Sequence, residues 1–155
     1  MKLSVGRLDD GLECWVDVAL EKRAAAIAGA AGHEDRSVQL VLADDTAITG
    51  INRQFRNIDA ATDVISFSYL DESDIFPDES NIAGEIYLSY ETVEREANER
   101  GFDRSHLFLR VVAHGVLHII GYDHETDDEC ARMEDEERKL LACELTAEEI
   151  EPLFT

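Results

Sequence analysis

Apolar and polar positions follow one another along this chain with periods that predict strands and helices in succession. Residues 2–6 form a short opening strand. Over residues 10–31, Leu12, Trp15, Val16, Ala19 and Leu20 recur at helical spacing and lead into an alanine-rich tail, which predicts one long helix. Ser37–Ala43 alternates and then turns apolar, as a strand does; Asp44, Asp45 and Thr46 can cap a second helix of about ten residues ending near Arg56. Thr62–Ser68 is β-branched and aromatic and predicts another strand. An acidic loop around Pro77 covers 71–80, and a further strand covers 83–89. Helices are expected over 90–100, stopped by Gly101, and over 104–120, with two more near 127–142 and 146–151. No internal repeat or low-complexity tract interrupts this order. It predicts an α+β fold, a small mixed β-sheet packed with helices, in a single domain over residues 1–155.

Composition narrows the class. With 45% hydrophobic and 32% charged residues the chain is globular and soluble, and no run of about 18 apolar residues predicts a membrane span. The opening Met1–Arg7 lacks the apolar segment of a signal peptide, so a cytoplasmic location is expected. Cys14, Cys130 and Cys143 are widely spaced and form no CxxC pair, which fits free thiols in a reducing compartment. A net charge of −21 opposes the basic footprint usual for nucleic-acid binding. Most of the acid reads as solvated surface. Arg53 and Arg56, and again Arg95, Arg100, Arg104 and Arg110, leave room for a local positive groove.

The chemistry is concentrated in His114-Gly-Val-Leu-His118-Ile-Ile-Gly121-Tyr-Asp-His124. His114 and His118 are four apart, so a helix puts them on one face. Gly121 can take a left-handed conformation, end the helix and turn the chain back, bringing His124 beside the pair. Three neutral imidazoles meeting at one point suit a divalent transition metal, zinc first, and a tetrahedral zinc so held keeps one position for water. The bland alternative is a hydrogen-bonded core histidine. The apolar neighbours Val111, Val112, Val116, Leu117, Ile119 and Ile120 argue against it, because an unpartnered buried imidazole is costly. The expected cofactor is one Zn2+ ion on a central helix and the turn after it. Zinc-bound water with its pKa lowered towards about 7 makes hydrolysis the natural reaction class.

The same histidine spacing occurs in metzincin peptidases, which place a glutamate general base directly after the first histidine. Here that residue is Gly115, which counts against a peptidase. Met133 lies in a charged, helix-forming run and reads as a helix residue rather than a methionine turn.

The histidine segment resembles the signature of the YbeY family of bacterial endoribonucleases, or ribosomal RNA maturation factors. Upstream, Ile51-Asn-Arg-Gln-Phe-Arg56 and Thr62-Asp-Val-Ile-Ser-Phe67 are similar to that family's central segment. Ala83-Gly84-Glu85-Ile86 resembles its Gly-Asp-Ile strand, and Met133–Leu141 its closing helix. The resemblance implies a small zincin-like α+β fold and a zinc-dependent endoribonuclease preferring single strands. Its role would be ribosomal RNA processing, notably at the 3′ end of the 16S RNA of the small ribosomal subunit, and ribosome quality control. It implies zinc ligands at His114, His118 and His124 and a functional arginine at Arg56. A guanidinium can hold two oxygens of a phosphodiester under attack, although a helix-terminal arginine in a surface salt bridge is the plain alternative. The family's usual prolines are replaced by Ala61 and Ser68, which is expected to loosen loop geometry, and its Gly-Asp-Ile acid is Glu85.

No general base is assigned, since metal-bound hydroxide or the RNA 2′-hydroxyl could attack. Asp63, Glu85 and Asp123 are candidates to fix a ligand imidazole, with Asp123 equally suited to cap the turn. His106 is expected near the site mouth and His33 on the surface. The partners expected are single-stranded RNA and the small ribosomal subunit, with no membrane; a monomer is the simplest assembly. Alternatives are a metal-dependent hydrolase of a peptide or small amide, and a non-enzymatic ribosome assembly factor with structural zinc.

Overall fold

The computed structural model describes residues 1–8, 14–70 and 81–155; the acidic loop expected over 71–80 lies outside them. In chain order the elements are β1 (Lys2–Arg7), α1 (Val18–Ala30), β2 (Ser37–Ala43), α2 (Asp45–Arg56), β3 (Val64–Ser68), β4 (Ile82–Ser89), α3 (Tyr90–Arg100), α4 (Arg104–Ile119), α5 (Asp127–Leu141) and α6 (Ala147–Ile150). A 3₁₀ turn over Glu151–Phe154 follows. The expected α+β class with a mixed sheet is borne out. The four strands lie in the order β1-β2-β4-β3, with β1, β2 and β4 parallel and β3 antiparallel at the edge.

The long first helix needs correction. Among the described residues it begins at Val18, after residues 14–17, which carry no regular structure; positions 10–13 of the expected helix, Leu12 among them, lie outside the described residues. Asp17 caps the helix, its carboxylate accepting from the Leu20 amide at 2.8 Å. Trp15, counted as a helical position, instead donates its indole N–H to the Tyr90 carbonyl and meets Phe108 edge to face. Its apolar spacing came from docking an extended segment on the core, not from a helix. Asp44 caps the second helix as expected, and Ser89, Asp103 and Thr126 each cap the helix that follows them.

Two contacts set α4 on the sheet. A β-carbon on Gly115 would lie 3.0 Å from Ile86 Cδ1, tighter than an ordinary contact, so glycine lets this helix approach β4 without displacing the Ile86 side chain. That face of α4 is buried, which leaves no room at position 115 for a metzincin-like glutamate. Side chains alternate across a strand, so Glu85 and Tyr87 face away from Ile86 and α4. There Tyr87 meets Phe67 of β3, and Phe67 meets Phe55 of α2. Thus α4 covers one face at the β3 edge, and the C-terminal end of α2 reaches the other.

Candidate metal centre

The end of α4 is built as the sequence predicts. Gly121 has φ +110°, and the amides of Gly121 and Tyr122 return to the carbonyls of His118 and Leu117. This paired return is a Schellman closure; it satisfies carbonyls the helix would otherwise leave open and reverses the chain. Asp123 then fixes the turn by accepting from the His124 amide at 2.8 Å. His124 arrives 5.4 Å from His114 and 4.9 Å from His118, ring centre to ring centre.

The three rings offer one nitrogen each within 4.8 Å of one another. The Nε2 atoms of His114 and His118 are 3.1 Å apart. Two nitrogens on one tetrahedral zinc, each 2.0–2.1 Å from it, stand about 3.3 Å apart, so the pair already has the span a metal needs. Burial first, then the neighbouring His114 and His124, hold the His118 imidazole below its ordinary pKa. That favours the neutral ring a metal requires. These residues fit zinc or another divalent ion that prefers imidazole.

They line a cleft of about 570 Å³ with Arg56 and the whole run Thr62–Ser68. Seven consecutive residues lining one cleft means that it runs along the open edge of β3. Arg56 is the last residue of α2 and makes no hydrogen bond or ion pair with any described residue. Arg53, one turn earlier, is the arginine that forms the surface salt bridge, to Asp59. Asn52 builds the turn beyond Arg56. It is buried, its side-chain amide donates to the Ala60 carbonyl at 2.9 Å, and its main-chain carbonyl accepts from the Ile58 amide. Asn57 takes the left-handed conformation there, with φ 59°.

The arginine groove is smaller than the sequence suggests. Arg95 pairs with Asp45, Arg104 with Glu94 and Arg110 with Glu137. Arg56 faces the main cleft, while Arg100 and Arg110 line an adjoining recess of about 220 Å³ together with Glu96. Burial, then Asp63, raises the pKa of Glu96.

None of the three nominated carboxylates reaches a histidine ring. Asp63 lines the cleft but accepts from Val64 and Thr62; Glu85 accepts from the Tyr87 hydroxyl at 2.5 Å; Asp123 caps its own turn. The Glu85 bond is the main cause of a Tyr87 pKa raised to about 12. His106 is also corrected: it pairs with Glu149 of α6 at 3.1 Å and does not line the cleft. His33 is exposed, as expected. Among the described residues, the carboxylate that does meet one of the three rings is Glu137, 2.5 Å from Nδ1 of His114. The signal for it was present in the sequence: Met133, Glu137, Leu140 and Leu141 share one helical face, so the pattern buries a lone acid.

Comparison with known proteins gives the family. A family model described as Endoribonuclease YbeY matches residues 7–143. A protein of Paramagnetospirillum magneticum named Endoribonuclease YbeY is 44% identical over 77% of this chain and 76% of its own length. One of the same name from Nitrobacter hamburgensis is 38% identical over 88% of this chain and 72% of its own. The solution structure of TM1509 from Thermotoga maritima superposes with a TM-score of 0.59 at 26% identity, covering 90% of this chain and 89% of that one.

Proposed function

The chain belongs to the YbeY endoribonuclease family, and from that membership we propose that it is a zinc-dependent endoribonuclease acting on single-stranded RNA. The observation that carries the reading is one cleft that gathers three convergent imidazoles and an arginine without a partner among the described residues. His114, His118 and His124 would hold the ion. Zinc at such a site supplies Lewis-acid stabilisation of phosphoryl charge and lowers the pKa of a water.

The other residues bind and orient. Arg56 grips two non-bridging oxygens of the scissile phosphate, where negative charge grows during attack. Phe67 lines the cleft and Phe55, 61% exposed, stands edge-on to it at 5.1 Å. Together they offer aromatic surface on which an unpaired base can stack, whereas a duplex would keep its bases occupied. No side chain is assigned as general base. The physiological substrate in this reading is ribosomal RNA of the small subunit, at the 3′ end of 16S RNA, processed in the cytoplasm by the single domain as a monomer. The family resemblance supports that choice.

The test is metal analysis of the purified protein joined to cleavage of single-stranded RNA with and without chelator. A folded His114→Ala protein without metal or activity is expected. Cleavage that survives both chelator and His114→Ala would overturn the reading, and an unfolded variant would favour a structural ion. The open edge of β3 favours one second reading, an extended peptide laid along the cleft. Cleavage of casein but not RNA would establish it.

A further inference from the structure

Glu137 occupies a position that α5 otherwise gives to apolar side chains, and it is 1% exposed. A buried carboxylate is costly unless other groups compensate it. One oxygen lies 2.5 Å from Nδ1 of His114. The other lies 3.4 Å from Nε of Arg110, without an aligned hydrogen bond from any described residue. Arg110 is itself clamped by the end of the fold. Its Nη1 donates to the Leu153 carbonyl, and its guanidinium lies 3.9 Å from the centre of the Phe154 ring. Arg138 packs on the same ring at 4.4 Å and pairs with Glu151.

We propose that Glu137 is a positioning residue for His114, holding the Nδ1 proton so that Nε2 stays bare towards His118 and His124, and that Arg110 and the Leu153–Phe154 turn hold Glu137 in place. The inference rests on the metal-site reading above. A neutral imidazole carries one N–H, so an acceptor at Nδ1 selects the tautomer whose Nε2 has a free lone pair. The short His114–His118 approach is compatible with that choice: at 3.1 Å only one of the two Nε2 atoms can carry a proton, and a bare Nε2 on His114 can accept from His118. Among the described residues no other carboxylate hydrogen-bonds a ring of the three. The run Met133-Glu-Asp-Glu-Glu137 thus serves the site from a helix that lends no ligand.

The experiment uses the full chain with ¹⁵N-labelled histidine, metal-free and then titrated with zinc against a chromophoric chelator. In the metal-free wild type His114 is expected as the Nδ1–H tautomer. Glu137→Ala should move the proton towards Nε2 and raise the zinc dissociation constant ten- to a hundredfold. Glu137→Gln, which keeps the volume and an accepting oxygen, should fall between, and Arg110→Met should weaken zinc binding several-fold. A role in packing alone would leave the tautomer unmoved. An unchanged tautomer and unchanged zinc affinity in Glu137→Ala overturn the proposal; if that variant does not fold, the same result in Glu137→Met, which fills the volume without an acceptor, does so. A wild type that binds no zinc removes the metal-site reading instead, and the metal-free tautomer still decides the role of Glu137.

Discussion

Ser68 donates its hydroxyl proton to the carbonyl oxygen of Ile119, 2.7 Å away, tying the edge strand to the last turn of the helix that carries His114 and His118. This carbonyl is one of those a helix end leaves without an internal partner. Serine in place of the family's usual proline was expected to loosen the segment; its hydroxyl instead fastens it. Ser68→Ala should lower stability by about 1 kcal/mol, read as a lower urea midpoint with an unchanged m-value. An unmoved midpoint would show that water replaces the bond at no cost.

Arg56→Ala should keep its zinc and lose about 10²–10³ in kcat on single-stranded RNA, the usual cost of removing a donor to developing charge. Binding should also become less salt-sensitive, with the slope of log K against log salt reduced by about 0.7 for one lost phosphate contact. Normal turnover with normal metal content would remove Arg56 from the mechanism.

Phe55→Ala should weaken RNA binding by about 1–3 kcal/mol while leaving kcat nearly untouched. The ring is 61% exposed, so the thermal midpoint should shift little. A duplex substrate, whose bases are already stacked, should not register the change. Equal losses on both substrates would argue against base stacking.

Asp45 links α2 to the start of α3. It accepts from Ser89 at 2.7 Å and from Thr92 at 2.5 Å, and pairs with Arg95 at 2.9 Å. Burial pushes its pKa up, but these three partners together outweigh burial and hold it below the ordinary carboxylate value. The sign follows from a depressed value: the stabilisation is complete above the unfolded pKa of about 3.9 and disappears as pH falls through the lower folded one. Asp45→Asn should therefore cost about 1–2 kcal/mol at neutral pH, with the gap to wild type closing below about pH 3.9. Denaturation across pH 2–7 measures it, and a pH-independent gap would contradict the assignment.

The strands, the cap of α2 and the histidine triad were legible because each depends on neighbours in sequence. Gly121, with φ +110°, sits just past the helix end where its motif needs a positive φ, three residues before the histidine it delivers. The start of α1 misled because Trp15 and Val16 have helical spacing, while the residue that decides is the cap at Asp17, which satisfies an amide three positions on. Which arginine lacks a partner among the described residues could not be read from the chain at all. Arg53 and Arg56 are both exposed on the same helix, and only the loop's return puts Asp59 beside the former. Glu137 lay between these cases: periodicity buries it, but that its partner is His114, twenty-three positions earlier, emerges only when α5 packs on α4.

Because β3 ends the sheet, its outer rim of backbone donors and acceptors has no strand partner among the described residues. Such a rim ordinarily invites pairing with another chain, yet here it is also the wall of the cleft. Two molecules joined rim to rim would each blind the other. Dimerisation by that route and turnover are therefore competing fates of a single surface, and crowding the protein in the absence of substrate is the condition that favours the unproductive one.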